Sequence, residues 1–159
     1  MEINYQPIGI IHSSFKNVEG TPIQPGGAKN SKGTIEIFPE FTEGLKDIDG
    51  FSHIILLYHF HLLSKTSLTV KPFMDTVSHG IFSTRSPARP NHIGLSVVKL
   101  KEVIGNKLII ENVDIIDGSP LIDIKPYVPD FDSVNADRIG WLEDNVHKHK
   151  TTKDDGRFI

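Results

Sequence analysis

Apolar and polar residues alternate in short runs along most of this chain, the period expected of strands that bury one face. Ile3, Tyr5, Ile8 and Ile10 start the pattern over residues 3–13, with an interruption at Pro7 that suits a strand start or an edge. Thr34-Ile35-Glu36-Ile37-Phe38 alternates in the same way. Residues 51–63 form the most apolar segment, and their β-branched and aromatic content favours a central strand over a helix. Further strands are predicted at about 68–73, 80–84, 95–104, 107–113 and 121–127, with Gly105-Asn106 as a hairpin turn. Helical spacing occurs twice. Phe41, Leu45 and Ile48 predict a short helix within 39–48, and Ile139, Leu142 and Val146 behind a capping Asp137 predict a C-terminal helix over about 136–149. Many strands with no repeated βαβ unit predict a mainly β fold, a single-sheet antiparallel β-barrel with a short helix and a C-terminal helix.

Two segments between strands are too structured in composition to be simple turns. Residues 17–32 are rich in Pro, Gly, Asn, Ser and Lys and contain Thr21-Pro22-Ile23-Gln24-Pro25-Gly26-Gly27, a long surface loop of the kind that often carries function. The second follows an expected strand at Gly80–Ser83 and runs through Arg85, Pro87, Arg89, Pro90, Asn91 and His92 to a strand at Leu95. Pro87 and Pro90 fix their own φ and bias Ser86 and Arg89 toward extended backbone, which pre-orders the arginines for a ligand. The same composition also fits a stiff hairpin connection whose arginines face water.

At 159 residues the chain suits one domain, 1–159, with its core over about 5–130. No apolar run approaches the roughly 20 residues of a membrane helix, and Met1-Glu2-Ile3-Asn4-Tyr5 lacks the pattern of a secretory signal, so a cytoplasmic location is expected. The absence of cysteine removes thiolate metal sites and cysteine nucleophiles. Seventeen basic against twenty acidic residues give a net charge of -3, so any contact with nucleic acid must be local.

Phosphate-binding glycine loops, GxSxG elbows and HExxH helices do not occur. His59 and His61, two apart on the apolar strand, could share a metal, but no third ligand is signalled and histidines hydrogen-bonded inside the barrel are the simpler reading; no metal is expected. His147 and His149 do not share a helical face and read as solvated. Asp117-Gly118-Ser119-Pro120 is a turn by composition. In the strand that follows, Asp123, Lys125 and Tyr127 point to one face, an acid, a base and a phenol in a row, which reads as an exposed strand face or, where that face is concave, as a site.

Ser83-Thr84-Arg85-Ser86, Arg89-Pro90-Asn91, Ile93-Gly94-Leu95-Ser96, Asp117-Gly118-Ser119-Pro120 and Asp123-Ile124-Lys125-Pro126-Tyr127 resemble, in order, the motifs of the TrmO (YaeB-like) family of tRNA methyltransferases. Phe51-Ser52-His53, Phe60-His61 and Pro22-Ile23-Gln24-Pro25-Gly26 extend the resemblance over roughly 5–130, and Arg138-Ile139-Gly140-Trp141-Leu142 is similar to the shorter, single-domain members. The family commonly has Pro where His92 stands and often Arg where Ile23 stands, and Leu62-Leu63 replaces a more polar pair. The resemblance implies an S-adenosylmethionine-dependent homodimeric enzyme that methylates N6 of threonylcarbamoyladenosine beside the tRNA anticodon. By matching motifs, Pro22, Ile23, Gln24, His61, Leu62, Arg85, Leu95, Asp117, Gly118, Ser119 and Pro120 would hold the cofactor. Arg89 and Asn91 would contact the substrate, and Asp123, Lys125 and Tyr127 would be catalytic. Methyl transfer to another acceptor, or S-adenosylmethionine binding without turnover, are the alternatives.

Overall fold

The computed structural model describes residues 1–159. Six strands close into an antiparallel barrel, and a two-stranded ribbon lies outside it. The strands, in chain order, are β1 (Gly9–Ser13), β2 (Lys32–Ile37), β3 (His53–His59), the ribbon β4 (Thr69–Val70) and β5 (His79–Gly80), then β6 (Ile93–Ile104), β7 (Lys107–Glu111) and β8 (Ser119–Pro126). The order around the barrel is β1-β2-β7-β6-β3-β8, and β8 pairs back on β1 through Gly9 opposite Leu121 and Ile11 opposite Ser119. Closure leaves no barrel strand with an unpaired edge.

The alternation seen along the chain sets the two faces. Ile11, Ile35, Ile37, Ile54, Leu56, Val98, Leu108, Ile110 and Leu121 point inward and are fully buried, with Val113 and Ile115 from the segment between β7 and β8. Each such side chain contributes about 1.5–3 kcal/mol of burial. The β6–β7 hairpin turns at Gly105, whose φ is +60°, and Asn106 ties it to β2 by donating Nδ2–H to the Ile37 carbonyl at 2.7 Å. A register shift at Leu57/Tyr58 lets β8 place Leu121 and Ile124 inward on either side of a bulge.

Several predicted elements take a different form. The first strand starts at Gly9, not residue 3, because Pro7 has no N–H for a ladder; Ile3 and Tyr5 are exposed. The apolar strand ends at His59, and residues 60–63 turn away from the sheet. Ile81–Ser83 is a 3-10 turn, not a strand, with Thr84 N–H bonded back to the Ile81 carbonyl at 3.1 Å and Ile81 buried in a second cluster with Val70, Ala88 and Phe158. The segment over 39–48 forms 3-10 turns at Pro39–Leu45 and Ile48–Gly50, split by Asp47 at φ +66°.

The C-terminal helix is also absent. The chain instead makes one short helix, α1 (Pro129–Asp132), and 3-10 turns at Gly140–Leu142 and Val146–Lys150. Gly140 at φ +59° breaks the helical path, and Ile139 and Val146, expected on a buried face, are exposed. Trp141 holds the segment to the body: its indole N–H donates to the Ser83 carbonyl at 2.8 Å and its ring stacks on His79 at 4.7 Å. Phe158 then docks edge-on against Phe73 at 5.1 Å between ring centres. These tertiary anchors outweigh a helical propensity worth only tenths of a kcal/mol per residue.

Gly9 sits where β1 crosses β2 so closely that a Cβ would lie 2.4 Å from the Glu36 carbonyl oxygen, whereas a Cβ on Gly44 would meet nothing. Gly9→Ala is expected to lower unfolding free energy by about 1–3 kcal/mol. Gly44→Ala should cost less than about 0.5 kcal/mol. Urea titrations of the two variants check this; equal midpoints would mean that β1 shifts without strain.

Candidate functional site

β3 ends, and β6 and β8 begin, at the same end of the barrel, as the pairings His59 with Ile93 and Tyr58 with Leu121 require. The long loop after β1, the arginine loop before β6 and the C-terminal segment gather over that end. Together they enclose a cleft of about 890 Å³, large enough for a nucleoside-sized ligand.

Most of the residues predicted to hold a cofactor meet there. Pro22, Ile23 and Gln24 come from the first loop, His61 and Leu62 from the turn after β3, Arg85 from the arginine loop, Leu95 from β6 and Ser119 from β8. Segments nearly a hundred positions apart in sequence thus share one wall. Arg85 is exposed and reaches Gln24, donating Nη1–H to Oε1 at 3.3 Å. Leu62 and Leu95 keep 46% and 50% of their surface open, apolar surface that a ligand would cover. The Ser86 hydroxyl lines the same cleft, is buried, and has no hydrogen-bond partner. A buried orphan of this kind costs about 1–3 kcal/mol, and a polar ligand would relieve it.

His61 is partly buried, which lowers its pKa; His59 adds to that shift and Asp117 opposes it. It is therefore neutral at pH 7, with Nδ1 3.4 Å from Ser119 Oγ. Ser119 donates its own proton to the Ile116 carbonyl at 2.8 Å, so its oxygen is left to accept. His59 instead lies beside His92, ring centres 6.0 Å apart, and the two strand histidines do not converge. No group of three metal-ligating side chains occurs in the structure.

Other predicted residues fall outside the cleft wall. The Asp117 carboxylate is taken up by Lys16 Nζ at 2.7 Å and the Ser13 N–H at 3.0 Å, and the Lys16 contact holds its pKa below the usual range. Gly118, at φ +79°, shapes the turn and donates its N–H to the Ile11 carbonyl at 2.9 Å, and Pro120 stands opposite Ile10 of β1. Arg89 does reach the cleft, yet its Nη1 donates to the carbonyls of Thr84 at 2.7 Å and Ile81 at 3.2 Å, so the guanidinium braces the arginine loop. Asn91 lies outside the lining. Asp123 and Lys125 form an ion pair at 2.8 Å on the outer surface of β8, which raises the Lys125 pKa. Tyr127 follows them toward the far end of the barrel, its N–H on the His53 carbonyl at 3.2 Å.

Four contributors were not among the predicted site residues. His149, expected in water, lines the cleft against the first loop, where a Cβ on Gly26 would meet its ring at 3.1 Å. Trp141 and Leu142 close the same side. Most consequential is Asp114, between the buried Val113 and Ile115. Ser96 Oγ donates to Asp114 Oδ1 at 2.7 Å, which leaves Ser96 to accept from the Tyr58 hydroxyl at 3.2 Å. Burial pushes the Asp114 carboxyl up to about 6, against the opposing effects of the Ser96 hydrogen bond and the Arg85 charge. The Tyr58 phenol is pushed well above its usual range, first by burial and then by Asp114. An acidic residue between two aliphatic ones in Val113-Asp114-Ile115 was the available signal, since alternation there places the carboxylate opposite the buried pair.

Residues 10–133 match the family model of the tRNA-methyltransferase O N-terminal domain. A protein of Pyrococcus abyssi named as a probable S-adenosyl-L-methionine-binding protein is 61% identical over 157 residues, 99% of this chain and 85% of that protein. The tRNA (adenine(37)-N6)-methyltransferase of Mus musculus is 39% identical over 135 residues, 80% of this chain and 31% of the mouse protein. The crystal structure of TrmO from Pseudomonas aeruginosa superposes with a TM-score of 0.74 at 38% identity and covers 89% of this chain and 63% of that one. The chain thus spans less than two thirds of the solved TrmO chain and about a third of the mouse enzyme.

Burial makes ionisation of Asp114 costly. Its raised pKa means that the folded state binds more protons than the unfolded state between about pH 4 and pH 6, so its contribution to stability falls as pH rises through that window. The difference in unfolding free energy between Asp114→Asn and the parent should grow in favour of the variant by about 1–3 kcal/mol from pH 4 to pH 7. A difference that stays constant with pH in denaturant titrations would show that the carboxylate is not desolvated.

Proposed function

The chain belongs to the tRNA-methyltransferase O family, and from that membership we propose that it is an S-adenosylmethionine-dependent methyltransferase acting on N6 of threonylcarbamoyladenosine beside the tRNA anticodon, in the cytoplasm. The observation that carries this reading is the cleft itself, where Pro22–Gln24, His61, Leu62, Arg85, Leu95 and Ser119 converge with an orphaned Ser86 hydroxyl at its wall.

 Apolar Ile23, Leu62 and Leu95 supply walls for the adenine ring, and the Arg85 fork matches the carboxylate of the methionine arm in two hydrogen bonds. Bound there, S-adenosylmethionine supplies an activated methyl group on a sulfonium sulfur. The chain's task is then to orient the acceptor, exclude water and take one proton.

The proton acceptor is sought in the row Asp123, Lys125 and Tyr127. The accepting nitrogen is conjugated to a carbonyl and gains nucleophilicity when its proton leaves to the Asp123 carboxylate, or to Tyr127 in its phenolate form, with Lys125 steadying the negative charge. Within one chain this row lies outside the cleft, so the reading includes a homodimer that shares its sites. The outer face of β6, β3 and β8 supports it. Leu95, Leu57 and Asp123 stand side by side across the three strands, with Val97, Ile55 and Lys125 in the next row. Leu95 is half exposed and Ile55, Leu57 and Val97 are partly exposed, an apolar outward face that a second copy would cover. A two-fold axis running along β3 in that interface would lay β8 of a second copy over β6 of the first, bringing its Asp123 to the Leu95 rim of the cleft.

The position of the row outside its own chain's cleft also favours a second reading, a module that binds S-adenosylmethionine without turnover. Transfer of labelled methyl to tRNA from a strain lacking the endogenous enzyme separates the two. The proposal expects label on the modified adenosine, and cofactor binding without label on any acceptor supports the module. Tyr127→Phe, Asp123→Asn and Lys125→Met should each slow turnover at least tenfold while changing cofactor affinity less than about threefold. Co-expressed Arg85→Ala and Tyr127→Phe chains, each inactive alone, should recover about a quarter of parental activity, because half of the dimers carry one intact shared site. No recovery would place the whole site in one chain.

A further inference from the structure

Asp114 is a charge without a counter-charge. It takes part in none of the chain's eight ion pairs, and the hydrogen bond from Ser96 Oγ at 2.7 Å is the one side-chain hydrogen bond it receives. It nevertheless lines the cleft. Its position is set from behind: Val113 and Ile115 are locked in the barrel core on either side of it, and the Tyr58–Ser96 hydrogen-bond chain fixes its carboxylate. A half-buried, pre-positioned carboxylate facing an open cavity is complementary to a cation that the cavity receives.

Arg85 narrows the identity of that cation. The guanidinium lines the same cleft and its charge is felt at Asp114, yet the two form no ion pair, and Arg85 Nη1 is turned to Gln24 Oε1 instead. An anion and a cation that share a cavity without pairing match a ligand carrying both opposite charges on neighbouring atoms. An α-amino acid zwitterion has that form. Resting on the reading that this cleft holds S-adenosylmethionine, we propose that Asp114 binds the α-ammonium group of the methionine arm while Arg85 binds its carboxylate. The two residues thus select donors with an intact amino acid end over nucleosides without one. The ammonium also supplies the direct counter-charge that Asp114 lacks within the cleft.

Calorimetry with the purified full chain at pH 8 tests this, using S-adenosylhomocysteine and its analogue lacking the α-amino group. The parent protein should bind S-adenosylhomocysteine about 10- to 100-fold more tightly than the des-amino analogue, a comparison that needs no variant. Asp114→Asn should lose about 10- to 100-fold in affinity for S-adenosylhomocysteine and less than about threefold for the analogue, so that the preference largely disappears. Equal binding of the two ligands by the parent would overturn the proposal, as would a variant that keeps the preference. If the parent binds neither S-adenosylhomocysteine nor S-adenosylmethionine, the cofactor reading of the cleft falls instead.

Discussion

Closure of the barrel through the pairing of β8 with β1 is the constraint on which the rest depends. It joins a strand from residues 119–126 to one from residues 9–13, and in doing so it buries the inward side chains of both. The same closure fixes where the chain crosses between strands. β3 leaves the barrel at the end where β6 and β8 enter it, so the turn after His59, the arginine loop and the Asp114–Ser119 segment are forced to be neighbours. The cleft is a consequence of that topology, and its residues need no local signal of proximity.

The barrel interior is apolar except at this end. Tyr58, Ser96 and Asp114 form a directional chain of hydrogen bonds that satisfies a phenol and a hydroxyl in the core and ends on a carboxylate at the cleft. Such a chain rigidifies its members, and the cost of the charge falls on the unliganded protein. Nearby, the Ser86 hydroxyl goes unsatisfied. Polar groups left incomplete in a well-packed fold gather where a ligand completes them.

The C-terminal segment has a part in this arrangement beyond covering the barrel. Residues 134–159 lie past the stretch that matches the family model, yet Trp141, Leu142 and His149 form one side of the cleft. Trp141 reaches the arginine loop through the Ser83 carbonyl, and Phe158 enters the cluster that supports the same loop from below. The tail and the arginine loop therefore hold each other in place. Arg89 adds to the same framework by bonding the loop's own carbonyls.

The strand alternation, the hairpin at Gly105 and the barrel class were legible in the amino-acid sequence because they depend on local side-chain period and turn chemistry. The motifs also marked Pro22–Gln24, His61, Leu62, Arg85, Leu95 and Asp117–Pro120 as one group, and the fold brings all of them to the cleft except Asp117, Gly118 and Pro120. Only the tertiary structure decided what long-range contacts control. It turned the expected C-terminal helix into anchored 3-10 turns, because Trp141 and Phe158 dock on distant partners while Gly140 interrupts the helical path. It gave Asp117 to Lys16 and Ser13, and it left Asp114, which no motif singled out, as the unpaired charge in the cleft. Periodicity tells which face a side chain is on; which groups meet across that face is settled by closure of the sheet.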